Sequence, residues 1–481
     1  MLSSYFKTAL RFLLRNRTYS FITIFGLAAG TLCCLYILLY VSDQYSYDKH
    51  QSKAVYRVDN ESSGEHSRID LAITVAPIAP GLKRDFPEVE QFALVVHFPG
   101  IEKHLLHYKD KNIWMKNAYM VDSTFFDVFS YHAVEGNLRT ALNQPNTVVL
   151  LKPTADRLFG TEDPIGKTIT VDNTNEKHDY LVTGVVDESL GKSHLQANLF
   201  LSMKGSRTGE QMLNAQSWIS NGYIGSYVKL RPGTNIAALE KKFPAFVERY
   251  GGDELKKWGY KNRLYLQAIG SIHTTPGFHN PWGDKAVNPS FLGLLVLIAV
   301  LIQVIACINF MNLSTARAAR RAKEVGVRKV IGARRVNLVK QFLAESFSLS
   351  LVSVLIALPL LLALLPYLNA ITQSDIRLDQ LSDYRVWLLL AALVSLTGLV
   401  AGSYPAFYLS AFQAIKVLKG NFTNRVSAAG IRRSLVVFQF VLSIVLISGI
   451  IVIYSQMNYI RNKDLGFDRD QRVVFSFSSG D

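Results

Sequence analysis

Five uncharged apolar blocks interrupt an otherwise mixed chain: Phe21–Val41, Phe291–Met311, Phe347–Leu368, Val386–Leu409 and Leu435–Tyr454. Each is about twenty residues long, and as helix that length crosses the roughly 30 Å hydrocarbon core of a bilayer. The pattern predicts five membrane spans (21–41 and 434–455 at the outside, three within 291–409) rather than a set of buried core helices. Ahead of the first block, Phe6, Leu10, Leu13 and Leu14 share one helical face bordered by Lys7 and Arg11. That is the pattern of an amphipathic helix lying at a membrane surface, here within residues 1–20. The first block is longer than a signal-peptide core and no A-x-A site follows, so it reads as an uncleaved anchor.

Between the first two spans, residues 42–290 change character. Val148–Leu151, Tyr180–Val186 and Tyr227–Leu230 are apolar runs rich in β-branched or aromatic residues and read as strands. Ile78–Phe86 and Ile236–Tyr250 have helical spacing, with Ile236, Leu239, Phe243, Phe246 and Val247 on one face. The segment is long enough for a core of its own. The predicted fold is therefore a multi-span α-helical membrane protein carrying an inserted α+β domain.

Composition narrows the function. Of 481 residues, 49% are hydrophobic and 19% charged, which excludes a disordered chain and argues against a purely soluble one. The net charge of +15 raises nucleic acid as a partner. Its distribution argues otherwise. Lys7, Arg11, Arg15 and Arg17 precede the first span; Arg317, Arg320, Arg321, Lys323, Arg328, Lys329, Arg334, Arg335 and Lys340 crowd residues 312–342, where Glu324 is the sole acid. Lys416, Lys419, Arg425, Arg432 and Arg433 occupy residues 410–433 without an acid. The positive-inside rule makes these three segments cytoplasmic, puts the N-terminus inside, and leaves 42–290 and the C-terminus outside. The charge thus points to topology and to anionic lipid, not to nucleic acid. Cys33, Cys34 and Cys307 all lie in spans, so no disulfide framework is expected.

Enzyme chemistry finds little support in residues 42–290. Gly160-Thr-Glu-Asp-Pro-Ile-Gly166-Lys167-Thr168 approaches a P-loop, but five residues separate the glycines where four are needed, and Pro164 lacks an amide donor. His104 and His107, three apart, would suit a metal on a helix, yet no third ligand is evident. Neither G-x-S-x-G nor H-E-x-x-H occurs. The domain reads as a binding or coupling module, with a membrane-anchored enzyme as the weaker alternative. No metal or cofactor site is expected.

The most patterned segment is cytoplasmic. In ARAARRAKEVGVRKVIGARRVNLVKQFLAES (Ala316–Ser346), Val327, Val330 and Ile331 share a helical face between Gly326 and Gly332, ringed by Lys323, Glu324, Arg328 and Lys329. A short helix with an apolar tip and a polar rim suits docking into a groove on a partner; a helix lying on the membrane surface is the other reading.

KEVGVRKVIGA followed by QFLAES resembles the segment between the second and third spans of MacB/FtsX-type ABC transporter permeases. VDSTFFDVF (Val121–Phe129), LFGTEDPIGKTITV (Leu158–Val171), VTGVVDE (Val182–Glu188) and FLSM (Phe200–Met203) resemble the periplasmic core domain of that family, in the same order. The resemblance implies a MacB-like periplasmic core domain over 42–290, a three-span permease domain over 291–409, and a bacterial inner-membrane location. It implies a permease that couples ATP hydrolysis by a cytoplasmic ABC ATPase dimer to motion of the external domain, exporting or extracting an antimicrobial compound, peptide or lipoprotein. ATP and magnesium are then expected on that partner, this chain needing no cofactor itself. Lys323, Glu324, Gly326, Val327, Arg328, Lys329, Ile331 and Gly332 would form the ATPase-docking element. Glu345 is either a further coupling group or an interfacial carboxylate near Arg334 or Lys340. The alternative function is a transmembrane signal transducer, FtsX-like, that regulates or senses an external partner. Family members with duplicated halves exist, and residues 456–481, with an apparent strand at Val473–Phe477, resemble the start of a second external domain. A fragment of such a two-repeat protein is expected, its partner a second permease half or a second copy, with an external adaptor or substrate besides.

Overall fold

The computed structural model describes residues 17–463 apart from 65–67, 98–100, 102, 174–175, 221, 280–285, 317–324, 377–383 and 411–424. The amphipathic segment before residue 17, much of the 410–433 linker and the strand at 473–477 lie outside the described residues. The chain divides into two compact units: one holds the chain up to Asp43 and again from Ser290, the other Gln44–Pro289.

The first unit is helical. Helix α1 (Arg17–Gln44) precedes the inserted domain, and α8 (Pro289–Ala316), α9 (Arg335–Thr372), α10 (Tyr384–Ser410) and α11 (Arg425–Asn462) follow it. All five contain windows long and apolar enough to cross a membrane. Leu27 of α1, Ala306, Cys307 and Phe310 of α8, Leu349 of α9 and Ala401 of α10 form one buried cluster; Leu35 and Leu39 meet Val354, Leu361 and Leu390 in another. Small residues allow these helices to approach closely. A Cβ on Gly30 would lie 2.8 Å from Ala306 Cβ, and one on Gly402 2.6 Å from Ser346 Oγ. Polar ties span the same helices, with Gln303 Nε2 donating to Thr397 Oγ1 at 2.8 Å. No residue in the apolar window of α11 is buried.

Helix α9 begins well before its apolar block. The predicted cytoplasmic segment 312–342 therefore ends in the first turns of this 38-residue helix rather than in a loop. Arg335, Lys340 and Gln341 carry the helix out past the hydrocarbon because long polar side chains are good helix formers and need no burial.

The second unit is α+β. Its strands are β1 (Val55–Ser63), β2 (Arg68–Leu71), β3 (Val89–His97), β4 (His104–Tyr108), β5 (Lys111–Met115), β6 (Ala118–Val121), β7 (His132–Gly136), β8 (Thr147–Leu151), β9 (Thr168–Asp172), β10 (Lys177–Asp187), β11 (Leu199–Ser202), β12 (Ile224–Leu230) and β13 (Lys261–Ala268). They join in one mixed sheet of order β13-β1-β12-β3-β6-β11-β8-β10-β9-β4-β5, with β2 beside β1 and β7 beside β10. The β6–β11 and β8–β10 pairs are parallel.

Alternation along the central strands sends side chains into two cores. Leu94, Val96, Val148 and Leu150 enter one; Ala93, Val95, Val149 and Leu151 enter the other. The second core is aromatic: the Phe125 ring lies 4.6 Å from Phe129 and 4.8 Å from Phe200, and Phe129 lies 4.9 Å from Tyr227. The first two come from VDSTFFDVF, whose Asp122 accepts from Leu94 N at 2.8 Å and ties the motif to β3.

The helices of this unit are α2 (Ile78–Asp85), α3 (Phe125–Val128), α4 (Lys152–Phe159), α5 (Arg207–Leu213), α6 (Ile236–Glu240) and α7 (Phe243–Lys257). The single helix expected over Ile236–Tyr250 is thus two. Pro244 sits in the first turn of α7, where its missing amide costs nothing; within a continuous helix it would remove a backbone hydrogen bond and clash with the preceding turn. Leu239, Phe243, Phe246 and Val247 still share one core with Ile78 and Leu82.

Candidate functional site

The cytoplasmic element is built around the short helix 325–330. Val325 turns inward against Leu338 and Phe342 of α9 and Ala406 of α10. Val327, Val330 and Ile331 point outward, Ile331 with 80% of its surface open, and Val336 on the first turn of α9 is also exposed. One apolar residue anchors the helix while three are presented.

Gly332 ends that helix. It has φ +99°, and the backbone closes with Gly332 N donating to Lys329 O at 3.1 Å and Ala333 N donating to Arg328 O at 2.9 Å. These are the paired bonds of a glycine-terminated C-cap. No atom lies within 4 Å of where a Cβ would sit, so the glycine is required by its dihedral and not by crowding.

The rim residues reach back into the bundle. Arg328 donates through Nη1 to Gln341 Oε1, and Gln341 Nε2 donates to Glu345 Oε1 at 3.3 Å, so one amide joins the short helix to the buried carboxylate. Lys329 Nζ donates to the carbonyl of Ser410 at 2.7 Å. Arg335 Nε lies 3.4 Å from Ser410 Oγ. Partial burial, then the charge of Arg335, holds the Lys329 ammonium below its ordinary pKa. Gly326 is buried. Lys323 and Glu324 lie outside the described residues. The structure brings Val327, Arg328, Lys329, Ile331 and Gly332 onto one short element and links Glu345 to it through Gln341. Sequence reasoning missed Gln341, Val325 and Ser410. The i,i+4 spacing of Gln341 and Glu345 was a usable signal; Ser410 offered none, because it comes from the far end of another helix.

The other candidates resolve as structure. His104 and His107 lie on β4, not on a helix, and point to opposite sides of it: His104 is buried beside Asn173, while His107 is exposed and bonded to Asn112 at 2.6 Å. Among the described residues no cluster of three His, Cys, Asp or Glu could hold a metal. In the near-P-loop the amides are spent internally, Gly166 N on Val182 O and Lys167 N on Pro164 O. Glu162 there gathers Lys109, Tyr108 and Lys167, whose hydrogen bonds pull its carboxyl down to about 2. The segment is a surface turn and not a phosphate cradle. One constellation does look catalytic: His194 bridges Asp48 Oδ2 at 2.9 Å and Tyr227 OH at 2.8 Å, with Ser193 Oγ donating to Asp48 Oδ1 at 2.9 Å. His194, Asp48 and Tyr227 are all buried, and the group ties the segment that follows α1 to β12.

Two family models match the chain. Residues 20–246 match the MacB-like periplasmic core domain, and residues 296–410 match the FtsX-like permease C-terminal domain. The macrolide export ATP-binding/permease protein MacB of Aggregatibacter actinomycetemcomitans is 28% identical over 249 residues, covering 50% of this chain and 34% of that protein. MacB of Haemophilus ducreyi is 22% identical over 413 residues, covering 83% of this chain and 54% of that protein. The chain therefore spans between a third and little more than half of the length of these relatives. A crystal structure of a domain of a permease protein from Porphyromonas gingivalis aligns with TM-score 0.40 and 19% identity, covering 51% of this chain and 97% of that one. The chain belongs to the MacB/FtsX-type ABC transporter permeases. It is an inner-membrane protein whose α+β domain is extracytoplasmic.

Proposed function

We propose that this chain is the permease subunit of an ABC transporter in which helix 325–330 docks on a separate cytoplasmic ATPase dimer. ATP and magnesium are held by that partner, and hydrolysis there drives motion of the extracytoplasmic domain. The N-terminus is cytoplasmic, and a second copy or second permease half completes the membrane assembly. The work is export or extraction of a substrate at the outer face; the macrolide export named for the relatives makes a macrolide-like antimicrobial compound the first to try. The observation that carries the reading is the outward placement of Val327, Val330 and Ile331 on a helix pinned by Val325 and ended by Gly332. Apolar residues held in water at a fixed helix tip fit a groove on a partner.

The test is affinity capture of the full chain from detergent-solubilised membranes with assay of co-purifying ATPase. Val330→Asp with Ile331→Asp is expected to lower ATPase recovery more than about tenfold, the scale of losing buried anchors, with membrane insertion unchanged. Normal recovery by that variant would sink the docking role. An ATPase that is captured but leaves efflux unchanged, while an extracytoplasmic partner is bound, would favour the signal transducer.

A further inference from the structure

We infer that Lys329 and Arg335, converging on Ser410 with Arg334 beside them, form a binding site for the phosphate headgroup of an anionic phospholipid. This goes beyond ATPase docking and does not depend on it.

The geometry supplies the cations. Lys329 Nζ and Arg335 Nε both reach Ser410, 2.7 Å from its carbonyl and 3.4 Å from its hydroxyl respectively. Arg334 is exposed, and neither Arg334 nor Arg335 forms an ion pair among the described residues. The sequence offers few acids to neutralise them: residues 410–433 contain none and residues 312–342 contain only Glu324. Like charges gathered on one serine repel, and an anion between them would relieve that repulsion. Arg335 and Arg334 present planar guanidinium forks, which suit phosphate oxygens.

The depth selects lipid over protein as the source of the phosphate. Ser410 lies just beyond the segment Val386–Tyr408 of α10, and Lys329 reaches it from helix 325–330 and Arg335 from the polar first turns outside the apolar block of α9, so the cations sit on the headgroup side of the hydrocarbon edge. Tyr404 and Tyr408 stack at 5.9 Å one turn apart at the same end of α10, as aromatic residues do at that boundary. Exposed Val336, next to Arg335, offers apolar surface to an acyl chain. Since Lys329 also belongs to helix 325–330, a lipid held here would hold that helix against the membrane.

Native mass spectrometry of the full chain in detergent, titrated separately with phosphatidylglycerol, phosphatidylcholine and inorganic phosphate, tests this. Phosphatidylglycerol should be retained in preference to phosphatidylcholine. Each cation near an anionic headgroup is worth roughly fivefold in affinity. Lys329→Gln with Arg335→Gln should therefore weaken phosphatidylglycerol roughly 25-fold and Arg334→Gln roughly fivefold, with phosphatidylcholine unchanged. If the double variant fails to assemble, Arg334→Gln decides alone, since its side chain holds nothing in the fold. Equal retention of phosphatidylglycerol by wild type and Arg334→Gln in that case, or by wild type and the double variant, overturns the site. Displacement by inorganic phosphate at matched concentration overturns the lipid as the source. Loss of ATPase capture with lipid retention intact overturns it in favour of an acidic protein surface.

Discussion

In the extracytoplasmic domain β3 sends Leu94 and Val96 into one core and Ala93 and Val95 into another, so the middle of the strand is covered on both faces. In helix 325–330 Val325 is the one apolar side chain that is covered, by three residues of α9 and α10, while Val327, Val330 and the adjoining Ile331 stay in solvent. The contrast separates two jobs. A sheet packed on both sides opens only with global unfolding and behaves as a rigid body. A helix of two turns held by one buried valine and a glycine cap has little of its own stability, and isolated helices of that length do not persist in water. Such a helix keeps its geometry through its neighbours and through whatever covers its tip.

The comparison breaks most visibly in the aromatic core. Phe125→Ala removes a fully buried ring from contact with Phe129 and Phe200, and is expected to cost about 4 kcal/mol. Thermal unfolding of the full chain in detergent, followed by protease resistance of the domain, should show the loss while ATPase capture persists. A domain as resistant as wild type would mean that the ring contributes little.

A second and smaller effect depends on pH. Burial, with His97 nearby, lowers the His104 pKa to about 4. A histidine depressed in the folded state prefers to be neutral there. Its contribution is complete above its ordinary value of 6.5 and is lost as pH falls from about 6.5 to about 4, in all about 3 kcal/mol. Asp122, raised to about 6 by burial, works the other way, since its carboxylate costs less as it protonates on acidification. Comparing wild type with His104→Phe isolates the histidine. Hydrogen exchange in β4 should accelerate on acidification more in wild type than in the variant; parallel curves would remove His104 from the account.

Gly332→Ala sharpens the other side. At φ +99° a Cβ costs about 1 kcal/mol, enough to fray helix 325–330 but not to unfold the chain. ATPase recovery should fall several-fold, and less in Gly332→Asn, because asparagine enters left-handed backbone more readily. Equal recovery by all three proteins would show that the cap is dispensable.

The spans were legible because twenty uncharged residues have few uses besides crossing a bilayer, and the strands Val148–Leu151 and Tyr180–Val186 because β-branched runs between turns have few besides a covered sheet. The break between α6 and α7 was legible too, in Pro244, had its position been weighed against the apolar spacing. The two-turn start of α9 was not, since Arg335, Lys340 and Gln341 suit a loop as well as a helix and only continuity with the span decides. Among the site residues, the apolar face of Val327, Val330 and Ile331 and the terminating Gly332 stand in one short stretch, so local spacing was enough to find them. Which valine would be covered was not local: Val325 and Val327 differ only in that Leu338, Phe342 and Ala406 come together over the first. The pairing of Arg328 with Gln341, and of Lys329 and Arg335 with Ser410, likewise waited for three helices to meet. Sequence by itself determined where the chain could enter a bilayer and which faces were apolar, because those are properties of neighbouring residues. Tertiary structure alone decided which of those apolar residues stayed in water and which charges shared a partner, because burial and proximity belong to residues far apart along the chain.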